Sequence, residues 1–401
     1  MADAKEQLEA HPVVARDHRF VVRSYGRYPL VVESARDVYL LGGDGRRYLD
    51  FVSGIGVMAL GHSHPRIVSA LTDQLDKLVH CSNLYYHSNQ GLLAERLSRL
   101  SGLDRTFFCN SGAEAVEAAL KIAKGHGRAR SPEKYRIIAL EESFSGRTLG
   151  AISVTGQPKY SGPFAPLLPG VEFIPVGDTA ALEAAVDDRT AGIIFEPVLG
   201  EGGIVEISNE FATLARDLAD RHDALLILDE VQCGLGRTGD AFAFEAWDGV
   251  RPDVMALAKP LAAGLPIGAV LCTDDAASVL GPGMHGSTFG GGALACRAAI
   301  EFLDLLPELL PSIREVGAYF RTRLQEIIER EEHAVRVRGR GLMLGLELDI
   351  PGGEFVPRAQ ELGLLINCTA GNVLRFLPPF IIRRRHVDEA IEALLEAFRQ
   401  Q

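Results

Sequence analysis

One lysine stands nearly alone. The chain carries 34 Arg against seven Lys, and Lys259 is the only lysine after position 159. Arginine effectively never gives up its proton, whereas a lysine can do so and act as a nucleophilic amine. Lys259 follows directly on the apolar run Val254-Met255-Ala256-Leu257, in Ala258-Lys259-Pro260. An amine emerging from an apolar strand loses solvation, which lowers its pKa and favours the neutral form. Asp229 has a matching place, closing the run Leu225-Leu226-Ile227-Leu228 and leading into Glu230-Val231-Gln232. A carboxylate there is costly to bury without a partner such as a protonated nitrogen, although a solvated strand-end Asp fits the sequence equally well. A third feature is Phe107-Phe108-Cys109-Asn110-Ser111-Gly112-Ala113-Glu114, running into an Ala-rich helix. Ser111-x-x-Glu114 has capping-box spacing, so a plain helix cap would account for it. Free N–H groups beside a glycine would also seat a phosphate. A phosphate seat, a strand-end Asp and a desolvated Lys in one chain fit pyridoxal phosphate better than any other common cofactor. Ser111, Gly112 and Ala113 would then hold the phosphate, Asp229 the pyridine nitrogen and Lys259 the aldehyde carbon.

Gly234-Leu235-Gly236-Arg237-Thr238-Gly239 has the spacing of the dinucleotide fingerprint. That fingerprint should open a helix after the first strand of its unit. Here the strand comes late and Asp240–Glu245 does not continue such a unit, so a glycine-rich loop is expected. An NAD-binding oxidoreductase is the alternative from another enzyme class.

The elements that would position these residues follow from periodicity. Short, largely apolar runs without alternation, at 105–108, 137–140, 192–195, 225–228, 254–257 and 269–271, suit strands buried on both faces of a mainly parallel α/β sheet. Ahead of them, Val38–Leu41 and Arg47–Phe51 flank an Asp44-Gly45 turn in a hairpin pattern. A helix from Pro65 should present Ile67, Leu71, Leu75 and Leu78 on one face. After about 300 a long amphipathic helix carries Ile313, Val316, Phe320, Leu324 and Ile327. Alternation at Leu342, Leu344, Leu346, Leu348 and Ile350 predicts a half-buried strand, and a last helix presents Val387, Ile391, Leu394 and Phe398. Residues 1–60 and 300–401 are expected to form a smaller α+β domain around a large domain at 61–299.

Composition limits the class. With 401 residues, 47% apolar and 23% charged, the chain reads as globular. A net charge of −12 argues against nucleic acid or an anionic membrane as partner. No apolar run reaches the roughly 18 residues of a membrane helix, and the N-terminus shows no secretory h-region. Six scattered Cys without a C-x-x-C pair suggest reduced thiols, no metal site and a cytoplasmic location.

Text along the whole chain resembles the class III aminotransferases of fold type I, nearest their acetylornithine/ornithine branch. The matching segments are Gly61-His62-x-His64-Pro65, Asn110–Ala115, Ser143–Thr148, Glu196-Pro197-x3-Glu201-Gly202-Gly203, Asp229–Gln232, Ala258-Lys259, Pro266–Ala269 and His285–Gly290, in the family's order. The resemblance implies a seven-stranded, mainly parallel sheet and a homodimer with shared active sites. It also implies transamination between an ω-amino donor and 2-oxoglutarate, of the arginine-biosynthesis type. N-acetylornithine is the expected donor. Ornithine, succinylornithine, 4-aminobutyrate and carrier-bound lysine intermediates share the same motifs, and a pyridoxal-phosphate-binding protein without turnover would share the cofactor residues. By the same resemblance, Lys259 and Asp229 are catalytic. Gln232 approaches the ring's phenolic oxygen, Val231 and Phe144 sandwich the ring, and Thr288 reaches the phosphate of the neighbouring subunit. Arg147 and Ser287 would contact substrate. Glu201 would mask Arg375 while the amine donor binds, and release it for the α-carboxylate of glutamate. Ser145, Met58 and Gly292-Ala293 depart from the family's usual text.

Overall fold

Seven strands form the central sheet of the computed structural model, which describes residues 11–400. Their spatial order is Arg105–Cys109, Gly268–Cys272, Val254–Leu257, Leu225–Asp229, Thr190–Phe195, Arg136–Leu140 and Val171–Ile174. The last five pair in parallel. Gly268–Cys272 runs antiparallel to both its neighbours, a direction that an apolar run does not encode. Val171–Ile174 has no all-apolar signature because it is the sheet edge, where Glu172 faces water. Antiparallel insertion of Gly268–Cys272 leaves Arg105–Cys109 pointing the same way as the parallel strands. All their carboxyl ends therefore share one edge, where open α/β sheets collect ligands.

Helix Gly112–Arg130 lies on this sheet through Ala115, Ala118, Ala119, Ile122 and Ala123, all buried. The small side chains let it approach closely. At Gly127 a Cβ would fall 2.1 Å from the Lys134 carbonyl, so no larger residue fits.

A second sheet orders Ala334–Arg340, Met343–Leu348, Val373–Phe376 and Asn367–Thr369, all antiparallel. The alternation at 342–350 predicts a half-buried strand, but Met343 and Gly345 are buried too. The loop bearing Ile204 covers their face, and Met343 joins a small core with Val198, Ile204, Cys233 and Leu377. Alternation reports the pattern of one strand and cannot report a loop arriving from elsewhere. The N-terminal strands Val32–Arg36, Tyr39–Gly42 and Arg47–Asp50 form a third sheet, completed in parallel by Leu364–Leu365. Gly45 at φ 76 supplies the turn that the Asp-Gly pair predicts.

Helix Ala293–Ile328 starts earlier than its periodicity suggests and carries Pro307 and Pro311 inside it, running across position 300. Its Phe320 packs edge-on to Phe51 at 5.4 Å and to Phe376 at 5.2 Å, binding the N-terminal sheet to the C-terminal one. The helix from Pro65 ends at Leu75, with Leu75 exposed and Leu78 beyond it. Val68, Leu75 and Val79 are exposed. His222 and His333 pair with Asp188 and Asp349, both at 2.8 Å. Among the described residues no helix is long and apolar enough to cross a membrane.

Candidate active site

The shared strand edge opens into a cavity of about 380 Å³. Ser111, Gly112, Ala113, Phe144, Arg147, Asp229, Val231, Gln232 and Lys259 all line it. Arg375, just beyond its lining, bonds both Gln232 and Glu201.

Ser111 is the N-cap of helix Gly112–Arg130, its hydroxyl accepting from the Glu114 N–H at 3.2 Å. Glu114 reaches one residue further back than a capping box requires and takes the Asn110 N–H at 2.8 Å. A Cβ on Gly112 would come within 2.8 Å of Val231, so glycine is needed for Val231 to lie across the cavity there. Gly146, at φ 138, packs against Ala113 and brings the Phe144–Arg147 loop over the helix N-terminus.

Asp229 ends its strand 3% exposed, with one oxygen accepting from the Val231 N–H at 3.1 Å. Burial pushes its carboxyl above the usual range, while the Lys259 charge pulls it back. Lys259 follows Val254–Leu257 in a single short 3-10 turn. Its amine makes no hydrogen bond among the described residues and faces the cavity. Desolvation, reinforced by the Arg375 charge, lowers its pKa from that of an ordinary lysine.

Glu196 also belongs here and carries no role in the sequence reading. Its buried carboxyl accepts from the Phe144 N–H at 3.0 Å and the Gly200 N–H at 3.1 Å, fastening two cavity loops to one strand end. Burial and the neighbouring Asp229 push its pKa up. The signal that singled out Asp229, an acid directly after an all-apolar strand, would have found Glu196 as well.

Arg375 is 1% exposed in the middle of strand Val373–Phe376. Its Nη1 donates to Glu201 at 2.6 Å, the Gly200 carbonyl at 3.0 Å and the Gln232 amide oxygen at 3.3 Å. Burial would raise the Glu201 carboxyl, but the Arg375 guanidinium outweighs it and holds the acid below its usual range. Arg147, in contrast, is exposed and has no carboxylate partner among the described residues. Its guanidinium stacks on Tyr160 at 4.0 Å and lies 5.3 Å from the Phe144 ring.

Thr288 lies outside this cavity, in a separate depression with His80, Asn83 and His87. Ser287 is bonded within its own chain, accepting from the Asn110 amide at 3.0 Å. The Gly234–Gly239 segment forms turns, and no long helix follows it, as its reading as a glycine-rich loop predicts.

A family profile described as "Aminotransferase class-III" matches residues 20–398. The chain is 47% identical over 378 residues to the acetylornithine aminotransferase of Aquifex aeolicus, covering 94% of this chain and 99% of that one. It is 46% identical over 385 residues to the acetylornithine aminotransferase of Methanocaldococcus jannaschii, covering 95% and 96%. Among solved structures, the ornithine aminotransferase of Toxoplasma gondii ME49 superposes with a TM-score of 0.92 at 34% identity, over 97% of this chain and 94% of that one.

Proposed function

The chain belongs to the class III aminotransferases, and on that premise we propose that it transfers the terminal amino group of N-acetylornithine to 2-oxoglutarate, using pyridoxal phosphate. The chain is a transaminase; the donor and the residue roles are the proposal. One observation carries it. The orphan amine of Lys259, the buried Asp229 and the Ser111–Ala113 helix start face one cavity, with the Glu201–Arg375 pair at its edge.

The residues present fit the cofactor. Gly112 keeps the helix start open beside Val231, where a Cβ would collide. Asp229, a buried acid with a single backbone donor, suits a cationic ring nitrogen. When bound, pyridoxal phosphate supplies an electron sink for charge released at the substrate carbon.

The chain's own groups supply the rest. The amine of Lys259 would hold the cofactor at its aldehyde carbon and would take and return the proton at the reacting carbon of the substrate. Asp229 would keep the ring nitrogen protonated, while Val231 and Phe144 would hold the ring between them. Free N–H groups at Gly112 and Ala113 take the phosphate. Arg147, unpaired and stacked on Tyr160, takes a substrate carboxylate through its planar fork. Glu201 occupies Arg375 while the ω-amine donor reacts and yields it to the α-carboxylate of glutamate.

Thr288 has no place in its own chain's cavity, and Leu84, Tyr85 and Phe289 beside its depression are exposed. This supports a homodimer in which Thr288 completes the partner's phosphate site. The location proposed is the cytoplasm. Ornithine is the second reading for the donor, favoured by the 0.92 TM-score to an ornithine aminotransferase but at 34% identity against 47% for the acetylornithine enzyme. A donor panel with 2-oxoglutarate decides. The expected outcome is that kcat/KM for N-acetylornithine exceeds that for ornithine, succinylornithine and 4-aminobutyrate. A reversed order assigns a different donor, and no turnover with any of them overturns the reading.

A further inference from the structure

The guanidinium of Arg375 has five N–H groups, and their partners are unevenly distributed. Nε donates to the Asn367 amide oxygen at 3.2 Å. The two hydrogens on Nη1 face three acceptors, from Gly200, Glu201 and Gln232. Nη2 makes no hydrogen bond among the described residues. A carboxylate can grip such a fork in two bidentate ways, across Nη1 and Nη2 or across Nε and Nη2. Asn367 already engages the Nε edge, so the open approach is across the two terminal nitrogens. The group that must leave for that approach is Glu201.

Strand Asn367–Thr369 is built to permit this exchange. Asn367 stands directly opposite Arg375 in the antiparallel register, which fixes their separation by two paired backbones. Two residues on, the Thr369 hydroxyl donates to the Glu201 backbone carbonyl at 2.6 Å. Glu201 itself sits in the turn between Val198–Leu199 and Val205–Glu206. Its side chain is 23% exposed, whereas that of Arg375 is 1% exposed. Of the two partners, the acid has room to rotate about a pinned backbone and the guanidinium does not.

We infer that Asn367 is a positioning residue that fixes Arg375 by its Nε, so that admission of an α-carboxylate is a movement of the Glu201 side chain alone. The inference rests on the reading of Glu201 and Arg375 as the gate between half-reactions. Asn367 touches no reacting atom and acts only through Arg375.

Single-turnover half-reactions of the holoenzyme test it, with N-acetylornithine, glutamate and 2-oxoglutarate as separate ligands. Asn367→Leu removes the acceptor. Its half-saturation concentration for glutamate and 2-oxoglutarate should rise about tenfold, the order of one lost hydrogen bond to a charged group. The limiting rate and the N-acetylornithine half-reaction should stay within about twofold. Asn367→Asp keeps the acceptor and the side-chain shape, so it guards against misfolding. Its added charge competes with the substrate carboxylate, and the glutamate half-reaction should weaken at least as much as in Asn367→Leu. A merely structural Asn367 would change both half-reactions together, and that result, or wild-type behaviour of both variants, overturns the inference. Glu201→Ala measured alongside separates the two ideas. If it harms both halves equally, the gate itself is gone and Asn367 has nothing to serve. If it is asymmetric while the Asn367 variants are not, the gate stands and the role given to Asn367 falls.

Discussion

At the Lys259 end of the cavity, Asp229, Glu196 and Lys259 leave strands of one sheet at their carboxyl ends, and Ser111 caps the helix beginning beside them. Asp229 and Ser111 are held by their own backbone neighbourhoods, through the Val231 N–H and the Glu114 N–H. At the Arg375 end, the guanidinium comes from the second sheet, and its Nη1 acceptors Gly200, Glu201 and Gln232 from loops 175, 174 and 143 positions away. Three acceptors compete there for one terminal nitrogen. The first arrangement fixes charges that must not move while a proton is transferred. The second holds its members through exchangeable bonds, as a site must if it is to accept two substrates that differ by a carboxylate at the reacting carbon. On the proposed reading, the common chemistry is placed on strand ends, and the choice between substrates is placed where separate elements meet.

Breaking the fixed end should cost most. Lys259→Ala should lower turnover by about 10⁴-fold or more, the scale of a positioned proton-transfer group together with lost covalent capture. The visible absorbance of the bound cofactor should disappear while far-UV circular dichroism stays unchanged. Near-normal turnover would remove Lys259 from the reaction. Asp229→Asn should slow both half-reactions by about ten- to hundredfold, because an interaction with a charged group of about 1.5–3 kcal/mol is lost. Stopped-flow rates that fall in one half only would place Asp229 at the exchangeable end instead.

The exchangeable end should respond asymmetrically and less. Glu201→Ala should preserve or speed the glutamate half-reaction, since Arg375 is no longer competed for. Selectivity for the ω-amine should fall about tenfold, on the scale of one charged hydrogen bond. Equal losses in both halves would make Glu201 structural and erase the distinction between the two ends. The smallest effect is expected at the subunit boundary. Thr288→Val should weaken cofactor retention about tenfold or less, read by spectrophotometric titration of the apoenzyme. Unchanged retention, or full activity of a monomer in dilution and sedimentation assays, would show that the fixed end is complete within one chain.

The contrast also governs what could be read from the chain. Lys259, Asp229 and Ser111 were legible because each follows an apolar run by one or two residues, and an all-apolar strand with a polar terminus is a local pattern. Glu196 obeys the same pattern, directly after Gly192-Ile193-Ile194-Phe195. Val171–Ile174 escaped because an edge strand mixes exposed and buried positions. Asn367 was not legible at all. Nothing in Ile366-Asn367-Cys368-Thr369 marks a residue that takes the Nε hydrogen of an arginine eight positions later.

By itself the sequence determined the all-apolar sheet strands, the helix start at Ser111 and the lone late lysine, and through them the class of cofactor chemistry. Those features arise from neighbours along the chain, where the periodicity of burial and the cost of placing a charge beside an apolar strand act directly. Only the tertiary structure decided that Gly268–Cys272 runs antiparallel, that Met343 is covered by the Ile204 loop, and that Gly200, Glu201, Gln232 and Asn367 converge on Arg375. Strand direction and hydrogen-bond partners between distant segments depend on how separate elements pack. A polar residue with one distant partner leaves no periodic trace in its own neighbourhood.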